Sequence, residues 1–548
     1  MFAKFRHMIS LVGLTALIFF ILSCVSFGEN VKSTPRTGKA PKGSLKREFK
    51  ALVSEMKNEG HDVSEAEELD RQAGKAMKEG RRKEARALRN KAILSLRNIK
   101  SKDEGAQSGA GHESPKILPA SMPKSQTIKI DIGVEKVRVI DTFPFDVNTV
   151  SNNTLQNFRY YELNTEKGAV TLNISHPVIL QEYPYSAFEF KNNKAFGATE
   201  SGQGNYALKH MSDRELDSRQ GKIFNILSQA GIGLARDFKS YDTRRAFIES
   251  QKGVYSFSHS DYAVNAAIDK RIDFIGRITP HRDRETVGLP EDEPAYIAYI
   301  KQTVGRYKGR VKYWQTLKEP APRTGVKGND AGLSPKDAVR ILELSYTAIK
   351  SVDKESMVYF PGLGPPFEFG GYNEDSYFEK IISLGGAKYF DVLGCEAYVH
   401  DIVEQAEKYR KILKKYGYDK PLWVAQTGVP DVVVPQHKKF RGGGSTMAQC
   451  EFMVKEYARA FAIGIEKVFW GEFLDESRAE GKNRAKHSIL WDRTGLFHTG
   501  SWEKKPAYFM HRLLASVLYD FTKAEKVAPN IVKFTFANRS TVYLVWPN

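Results

Sequence analysis

The chain has 548 residues, too many for one ordinary domain, so a large domain with smaller additions is expected. Apolar residues make up 41% of the sequence and charged residues 27%, which excludes wholesale disorder and supplies a sizeable core. The formal net charge is +18, and residues 29–104 hold 20 basic and 13 acidic side chains, an excess of seven. No nucleic-acid motif accompanies this basic arm, so nucleic acid is not expected as a partner. An anionic cell envelope or an acidic polysaccharide fits it better.

The first 23 residues have the pattern of a signal peptide. A basic start precedes an apolar run from Met8 to Leu22, which is shorter than a typical membrane span. The run ends in Ile-Leu-Ser followed by Cys24, which resembles the box at which bacterial lipoproteins are cleaved and lipidated. That resemblance implies a lipid anchor on Cys24, and Val25 after it implies the outer membrane of a Gram-negative cell. An ordinary signal peptide with an accidental cysteine, or an uncleaved anchor, is the alternative.

Three segments follow before any strand pattern begins. Residues 24–44 are rich in Lys, Pro, Gly and Ser and are expected to be a flexible tether. Residues 45–100 show helical spacing of apolar positions on two segments, which resembles a single tetratricopeptide-like hairpin. One such hairpin buries its own face poorly, so it is interpreted as a spacer or as a docking element for a protein partner. Residues 101–126 form a second linker with repeated Gly and Pro.

Cysteine usage predicts neither a metal site nor a disulfide framework. With Cys24 assigned to the anchor, only Cys395 and Cys450 remain, and both are interpreted as buried thiols. The sequence contains neither CxxC nor HExxH, so no zinc site and no cofactor are expected.

Strand patterns flank the large domain in sequence. Residues 127–190 contain short runs in which every second residue is apolar, such as Ile128, Ile130 and Ile132. Residues 522–548 repeat the pattern. The two parts are predicted to pack together as one small β domain.

Between them, residues 191–521 alternate eight apolar strands with eight amphipathic helices, which predicts a (β/α)8 TIM barrel. The predicted strands are Lys194–Thr199, Ile232–Phe238, Ile272–Thr279, Val311–Leu317, Met357–Gly362, Asp391–Tyr398, Leu422–Thr427 and Lys467–Phe473.

Active sites of such barrels lie at the mouth, where the strands end. Carboxylates, aromatic rings and an arginine stand at those ends, a combination suited to a sugar: carboxylates for proton transfer and ring faces for pyranoses. The candidates are Arg236, His281, Lys318, Glu319, Glu396, Tyr398, Gln426, Trp470 and Glu472.

Two segments resemble the clan A glycoside hydrolases. Residues 313–320, Tyr-Trp-Gln-Thr-Leu-Lys-Glu-Pro, are similar to their strand-four segment, which implies that Glu319 is the general acid/base. Residues 422–428, Leu-Trp-Val-Ala-Gln-Thr-Gly, are similar to their strand-seven segment, in which a Glu is the nucleophile. Residues 252–257 with Asp261 resemble the stretch after strand two in the β-xylosidase-like branch. The resemblance covers the whole barrel and implies a polysaccharide or oligosaccharide as partner.

Three positions depart from that pattern. Gln426 stands where the nucleophile is expected, and a neutral amide is a poor nucleophile. Lys318 replaces an Asn that contacts the sugar in relatives, and an ammonium beside Glu319 would hold that carboxylate ionised although a general acid needs a raised pKa. Glu396 stands where relatives usually carry His. Three changes at one mouth indicate altered function.

Each candidate also has a structural explanation. Glu319 could pair with Lys318 or Arg236, and Arg236 either orients the group at position 426 or is a structural counterion. Glu396 and Tyr398 lie two apart and therefore share a side, at the mouth or on the outer face. Glu472 could be a solvated rim residue. Of Trp470 and Trp502, at most one is expected to be a sugar platform.

Two classes of function remain open. The first is a hydrolase in which Glu319 is the acid and Glu396 or Glu472 activates water, with inversion if the carboxyls stand about 6.5–9.5 Å apart. A variant is attack by the substrate's own acetamido group, oriented by Gln426. The second is a catalytically inactive glycan-binding lipoprotein. A pure scaffold is less consistent with the polar mouth.

Overall fold

A computed structural model describes the chain in two units that divide between Leu118 and Pro119, and each is treated by itself. In the first unit it describes residues 63–79 with Phe49, Val53, Ser54, Lys57, Leu88 and Ala92. In the second it describes 125–147, 149–188, 190–199, 213–236, 243–281, 288–317, 319–321, 332–363, 374–398, 401–432, 443–475, 493–498 and 502–548. For residues 65, 78, 199, 213–220 and 374 it describes the backbone alone. The predicted signal sequence and tether, with Cys24, and Lys318 at the mouth lie outside these residues.

The N-terminal unit contains one continuous described helix, α1 (Ser64–Lys78). Its alanines at 66, 73 and 76 are buried, and Ala66 belongs to a cluster with Phe49, Val63 and Ala92. Helix α1 is therefore covered by residues from both earlier and later in the chain. Among the described residues, no helix is long and apolar enough to cross a bilayer.

The large domain is a closed barrel of eight parallel strands, and the predicted fold class is confirmed. All eight strands fall where the alternation of the sequence placed them. They are β6 (Asn193–Thr199), β7 (Ile232–Arg236), β8 (Asp273–Ile278), β9 (Tyr313–Thr316), β10 (Met357–Phe360), β11 (Val392–Glu396), β12 (Leu422–Thr427) and β13 (Lys467–Trp470).

The described helices of the second unit surround this barrel, and several begin at side-chain caps. Asp292, Ser334, Asp401 and Ser445 each accept a hydrogen bond from a backbone N–H of the first turn that follows. The helices are α2 (Asp213–Gln229), α3 (Arg245–Ile248), α4 (Ser258–Asp269), α5 (Glu293–Tyr307), α6 (Pro335–Val352), α7 (Glu374–Ser383), α8 (Ile402–Lys415), α9 (Thr446–Ala462) and α10 (Pro506–Val517).

The barrel interior is filled by alternate residues of the strands. A buried cluster occupies its middle, made of Leu234, Ile275, Tyr313, Tyr359, Val392, Trp423, Ala425 and Phe469. Gly197 leaves room there, because a Cβ atom at that position would lie 2.3 Å from the Phe469 ring. The barrel is thus a packed core, and a ligand can be bound only above this cluster, at the mouth.

The small β domain is built from both ends of the second unit. Strand β1 (Gln126–Asp131) pairs with β4 (Ala169–Ile174), and a six-stranded antiparallel sheet has the order β14 (Phe521–Ala528), β15 (Ile531–Phe536), β16 (Val542–Val545), β5 (Val178–Glu182), β2 (Lys136–Asp141), β3 (Tyr160–Asn164). The first and last segments meet where Val545 pairs with Val178. One face packs on β1 and β4, and the other shares the core of the barrel helices.

Candidate active site

A polar layer lies directly above the apolar interior of the barrel. Side chains alternate along a strand, so the residue two positions after an interior residue also points inward. Leu234 is followed by Arg236, Ile275 by Arg277 and Tyr313 by Gln315 in this way. Arg236 and Arg277 are 1% and 3% exposed, so two cations are buried on neighbouring strands at the mouth.

The side chain of Arg236 is hydrogen-bonded to two other strands of the barrel, β9 and β12. Its Nε donates to Gln315 Oε1 over 2.9 Å, and its guanidinium also donates to the carbonyl oxygen of Ala425. The ring centre of Tyr359 lies 5.8 Å from its guanidinium carbon. Arg236 therefore holds the backbone of β12 one residue before Gln426.

The side chain of Gln426 is hydrogen-bonded to a carboxylate in the segment that follows β13. Its side-chain Nε2 donates to Glu472 Oε1 over 3.0 Å, and both residues are buried. The backbone N–H of Glu472 in turn donates to Thr494 Oγ1 over 3.3 Å. Glu472 is 1% exposed, so it is part of the buried mouth and not a solvated rim residue.

Tyr398 and Gln426 converge on Gly471. A Cβ atom at residue 471 would lie 2.6 Å from the Tyr398 hydroxyl oxygen and 2.6 Å from Gln426 Nε2. The glycine thus lets a phenol and an amide approach the same short stretch of backbone. The structure brings together three of the predicted residues here, Tyr398, Gln426 and Glu472.

Glu396 stands beside Gln426 across the strand pair. The two are register partners of β11 and β12, next to an irregularity between Cys395 and Glu396. Ala397 N–H donates to Gln426 O over 2.9 Å, and Thr427 Oγ1 donates to Ala397 O over 2.7 Å. Ala397 packs in the outer core. Glu396 and Tyr398 on either side of it therefore face the mouth.

Glu319 lies in the turn that follows β9. It is half-buried, and its backbone φ is +47°, while Leu317 before the undescribed Lys318 has φ +63°. Left-handed backbone at residues other than Gly costs free energy and is concentrated at functional sites. Tyr377 supports the turn by donating its hydroxyl to Pro320 O over 3.2 Å.

Trp470 is not placed as a sugar platform. Its ring is fully buried among the helices, with its Nε1 donating to Thr494 O over 3.0 Å and the Phe452 ring centre 6.4 Å away. Trp502 is half-buried, and Lys222 Nζ lies 4.4 Å from its ring centre. His281 is buried at the end of β8, where a Cβ atom at Gly288 would lie 2.6 Å from its Nε2.

A buried ionic network lies next to the mouth, and the sequence did not reveal it. Lys505 is 1% exposed, and its Nζ lies 3.0 Å from Asp431 and 3.0 Å from Asp475. Arg493 Nε lies 2.7 Å from Asp431, and His498 Nδ1 lies 3.0 Å from Asp475. The network fixes residues 493–498, which include the Thr494 that holds Glu472.

The two carboxylates of this network have opposite pKa shifts. Burial raises the pKa of Asp475, and its contacts with Lys505 offset this only in part. Burial also acts to raise the pKa of Asp431, but the hydrogen bond from Arg493 and the charge of Lys505 outweigh it and bring the pKa below its ordinary value.

Arg277 and Gln315 also escaped the sequence-based search. Both are polar residues inside otherwise apolar strands, Phe-Ile-Gly-Arg-Ile and Tyr-Trp-Gln-Thr. Their period-two spacing from Ile275 and Tyr313 was the available signal. Among the described residues, no group of three or more His, Cys, Asp or Glu could hold a metal ion.

No protein-family model and no curated protein matches the chain. Solved structures similar to it include a family 39 glycoside hydrolase from Bacteroides cellulosilyticus, with 14% identity, TM-score 0.49 and coverage of 76% of this chain and 86% of that one. A glucosidase from Croceicoccus marinus has 14% identity, TM-score 0.42 and coverage of 66% and 76%. Xylanase 10B from Thermotoga maritima has 14% identity, TM-score 0.38 and coverage of 60% and 95%.

Proposed function

We propose that the protein binds a glycan chain in the mouth of its barrel and does not carry out retaining glycoside hydrolysis there. The observation that carries this proposal is the hydrogen bond from the Gln426 amide to Glu472. A retaining mechanism needs a carboxylate in the nucleophile position, about 5–5.5 Å from the acid. The segment around Gln426 resembles the one that supplies this nucleophile, and here it supplies an amide engaged with another carboxylate.

The pair at positions 426 and 472 is matched in charge. Gln426 Nε2 and Glu472 Oε1 are 3.0 Å apart in a buried setting. A carboxylate in place of the amide would put two negative charges at that distance, which raises the pKa of one of them strongly. The amide satisfies Glu472 without this cost. The amide at position 426 therefore keeps a further negative charge away from the Glu472 carboxylate.

The remaining groups suit recognition of hydroxyls. Tyr398 supplies a phenol hydroxyl and Gln426 an amide, which converge near Gly471, and Glu396 supplies a carboxylate on the strand beside Gln426. Pyranose hydroxyls both donate and accept hydrogen bonds, so such a mixed set is complementary to them. Buried Arg236 holds the backbone of β12 next to Gln426 through its hydrogen bond to Ala425 O, which favours a preorganised mouth.

A second candidate function is inverting hydrolysis, favoured by the placement of Glu396 at the mouth beside Gln426. Glu319 would protonate the leaving oxygen and Glu396 would take a proton from the attacking water. Glu472 is a weaker base candidate because it already accepts the amide hydrogen bond of Gln426. Attack by an acetamido group of the substrate, with Gln426 orienting it, belongs to the same class.

We assign the protein to the cell envelope on sequence grounds. The signal-like start and the box at Cys24 support export and a lipid anchor, with the outer membrane of a Gram-negative cell as destination. The basic arm would lie along anionic lipid or acidic glycan, and the helical unit is proposed as a spacer or docking element for a protein partner.

A polysaccharide panel assayed for both binding and new reducing ends separates the two candidates. Recognition alone predicts retention without reducing ends, and Tyr398→Phe weakens the retention by removing one hydroxyl. Inverting hydrolysis predicts reducing ends that disappear in both Glu319→Gln and Glu396→Gln. A protein that neither binds nor cleaves any chain of the panel contradicts the carbohydrate assignment.

A further inference from the structure

A cluster of tyrosines lies on the six-stranded sheet of the small β domain, apart from the barrel mouth. Tyr160 stands on the edge strand β3 and is 52% exposed, and Tyr183, just after β5, is 41% exposed. Tyr185 is half-buried, and its ring centre lies 5.5 Å from that of Tyr183 at an interplanar angle of 85°. The three rings form what is called here the tyrosine platform.

Two cations fix the rings of the platform. The guanidinium carbon of Arg138 lies 4.1 Å from the ring centre of Tyr185 and 5.3 Å from that of Tyr160. Lys136 Nζ lies 4.9 Å from the ring centre of Tyr183. Stacking of this kind contributes about 0.5–1 kcal/mol per contact at exposed sites, so the rings are held in place.

Buried hydrogen bonds hold Arg138 itself. It donates to Gln181 Oε1 over 3.2 Å, and Gln181 is fully buried. Gln181 Nε2 in turn donates to Ser186 O over 2.7 Å and to Ser540 Oγ over 3.0 Å. The platform is therefore preorganised from below, which lowers the entropy lost when a ligand is bound.

Two polar atoms of the platform lack a hydrogen-bond partner within the described chain: Arg138 Nε and the hydroxyl of Tyr185. Buried polar groups are nearly always satisfied, so each such exception calls for an explanation. Both atoms are almost inaccessible to solvent, so a ligand hydroxyl would reach them only if the rings above them shift.

The composition of the platform points to a sugar as the occupant. A pyranose presents an apolar C–H face, which stacks on an aromatic ring, and a rim of hydroxyls for Arg138, Lys136 and Glu162. A stable protein partner is disfavoured, because three tyrosines of about 150–250 Å² each, already half-covered, fall short of the roughly 1,200 Å² of a specific interface.

We propose that the tyrosine platform is a second glycan-binding site, which holds pyranose rings of a long chain by stacking on Tyr160 and Tyr183. The site is separate from the barrel mouth and lies in another domain. Two weak sites on one protein increase retention on a polymer well beyond either alone, provided one chain reaches both.

The test compares full-length variants on a glycan array and in native gels that contain xylan or polygalacturonate. Tyr160→Ala with Tyr183→Ala is expected to weaken binding to the polymers at least about tenfold, which corresponds to the loss of two stacking contacts. Tyr160→Phe with Tyr183→Phe keeps the rings and is expected to bind as wild type does. Tyr262→Ala removes an unrelated tyrosine of α4 that is 44% exposed, and serves as the matched control.

The outcomes separate this site from the barrel mouth. A mouth variant, Tyr398→Phe, is expected to weaken the binding of short oligosaccharides more than the binding of polymers, because the platform still contributes to polymer binding. If the double alanine variant folds and is retained on every glycan as wild type is, or if wild type binds none, the platform is not a glycan site. If Tyr398→Phe binds every glycan as wild type does while the double alanine variant loses polymer binding, the proposal for the mouth is wrong and the proposal for the platform is supported.

Discussion

Gln426, near the end of β12, donates a hydrogen bond from its side-chain amide to the carboxylate of Glu472, which follows β13. The Gln426 amide and the Glu472 carboxylate lie 3.0 Å apart, and Glu472 is almost inaccessible to solvent. A substitution at position 426 therefore changes the electrostatic surroundings of the Glu472 carboxylate. Restoring the nucleophile of the resembled family consequently requires two changes and not one.

Gln426→Glu alone is expected to destabilise the fold by about 1–3 kcal/mol at neutral pH, because two carboxylates would meet at this distance. One of them would then have a raised pKa in the folded state, so its penalty applies above that pKa and fades as the pH falls below it. Thermal unfolding at pH 8 and pH 5 measures this. A deficit that is the same at both values contradicts the charge explanation.

Gln426→Glu combined with Glu472→Gln exchanges the two groups and keeps the charge. This double variant is expected to recover stability and to gain slow hydrolysis of aryl β-glycosides with net retention. Glu319→Gln in that background is expected to remove most of the gain for substrates with poor leaving groups, which need acid assistance. Product stereochemistry followed by NMR is the measurement, and wild type and the single variant are the controls.

Lys505→Met is expected to lower the free energy of unfolding by about 3–5 kcal/mol, since it leaves Asp431 and Asp475 buried without their shared cation. Lys523→Met is the control, because that side chain is 64% exposed and its loss should cost less than about 1 kcal/mol. Urea unfolding of both variants gives the comparison. Equal losses would show that the network adds nothing specific.

His511 should make the fold sensitive to acid. Its Nδ1 lies 2.8 Å from Ala230 O, which can only accept, so Nδ1 carries a proton. Burial lowers its pKa from 6.5 to about 4. The unfolded chain therefore binds the extra proton first, and about 3 kcal/mol of stability is lost as the pH falls from 6.5 to 4.

His511→Gln is expected to flatten this part of the stability profile measured by chemical unfolding between pH 7 and 4. His176 provides the opposite control, since its hydrogen bond with Asp141 raises its pKa. The stabilisation that protonated His176 gives the folded state is present below the pKa of histidine in the unfolded chain and is lost as the pH rises. Without this histidine, the free energy of unfolding of His176→Gln should fall more steeply as the pH is lowered. A His511 variant with an unchanged slope would exclude this residue as the sensor.

Brief proteolysis is expected to cut within residues 101–126 and to leave a resistant fragment that runs to the C-terminus. The boundary between the two units at Leu118 and Pro119 lies in that range. Because β16 pairs with β5, both β segments should remain with the barrel. Mass spectrometry of the first resistant fragment locates the cut. An early cut near residue 190 would contradict the prediction that the N-terminal β segment stays with the barrel.

Cys24→Ala is expected to abolish fatty-acid labelling and to leave the signal sequence attached in cells. Wild type should partition into detergent, whereas a Cys450→Ala variant, which lacks only a buried thiol, should behave as wild type does. Wild type recovered in soluble form without lipid mass on its N-terminus would refute the anchor.

The barrel was predictable because its strands and helices each obey a local period. Caps such as Asp292 and Ser334 then fix where the helices begin. Trp470 shows the limit of such patterns. Strands of a parallel barrel are buried on both faces, so apolarity alone does not tell an interior side chain from one that faces the helices.

The decisive contacts of the site were not predictable, because they depend on register between distant segments. Gln426 and Glu472 are 46 positions apart, and no pattern in either segment indicates that the two residues are in contact. Arg138 meets Tyr160 and Tyr185 only after three strands have paired. Sequence patterns specified which residues would be at strand ends, and the three-dimensional pairing decided what each could do there.

The pairing of β16 with β5 has a consequence for how this protein folds during its synthesis. Val178 pairs with Val545, so the sheet stays incomplete until β16 has been synthesised. Contacts this distant in sequence form slowly, and an unfinished sheet exposes strand edges that other chains can pair with. We expect that deleting β16 would produce aggregation during synthesis before any effect on glycan binding could be seen.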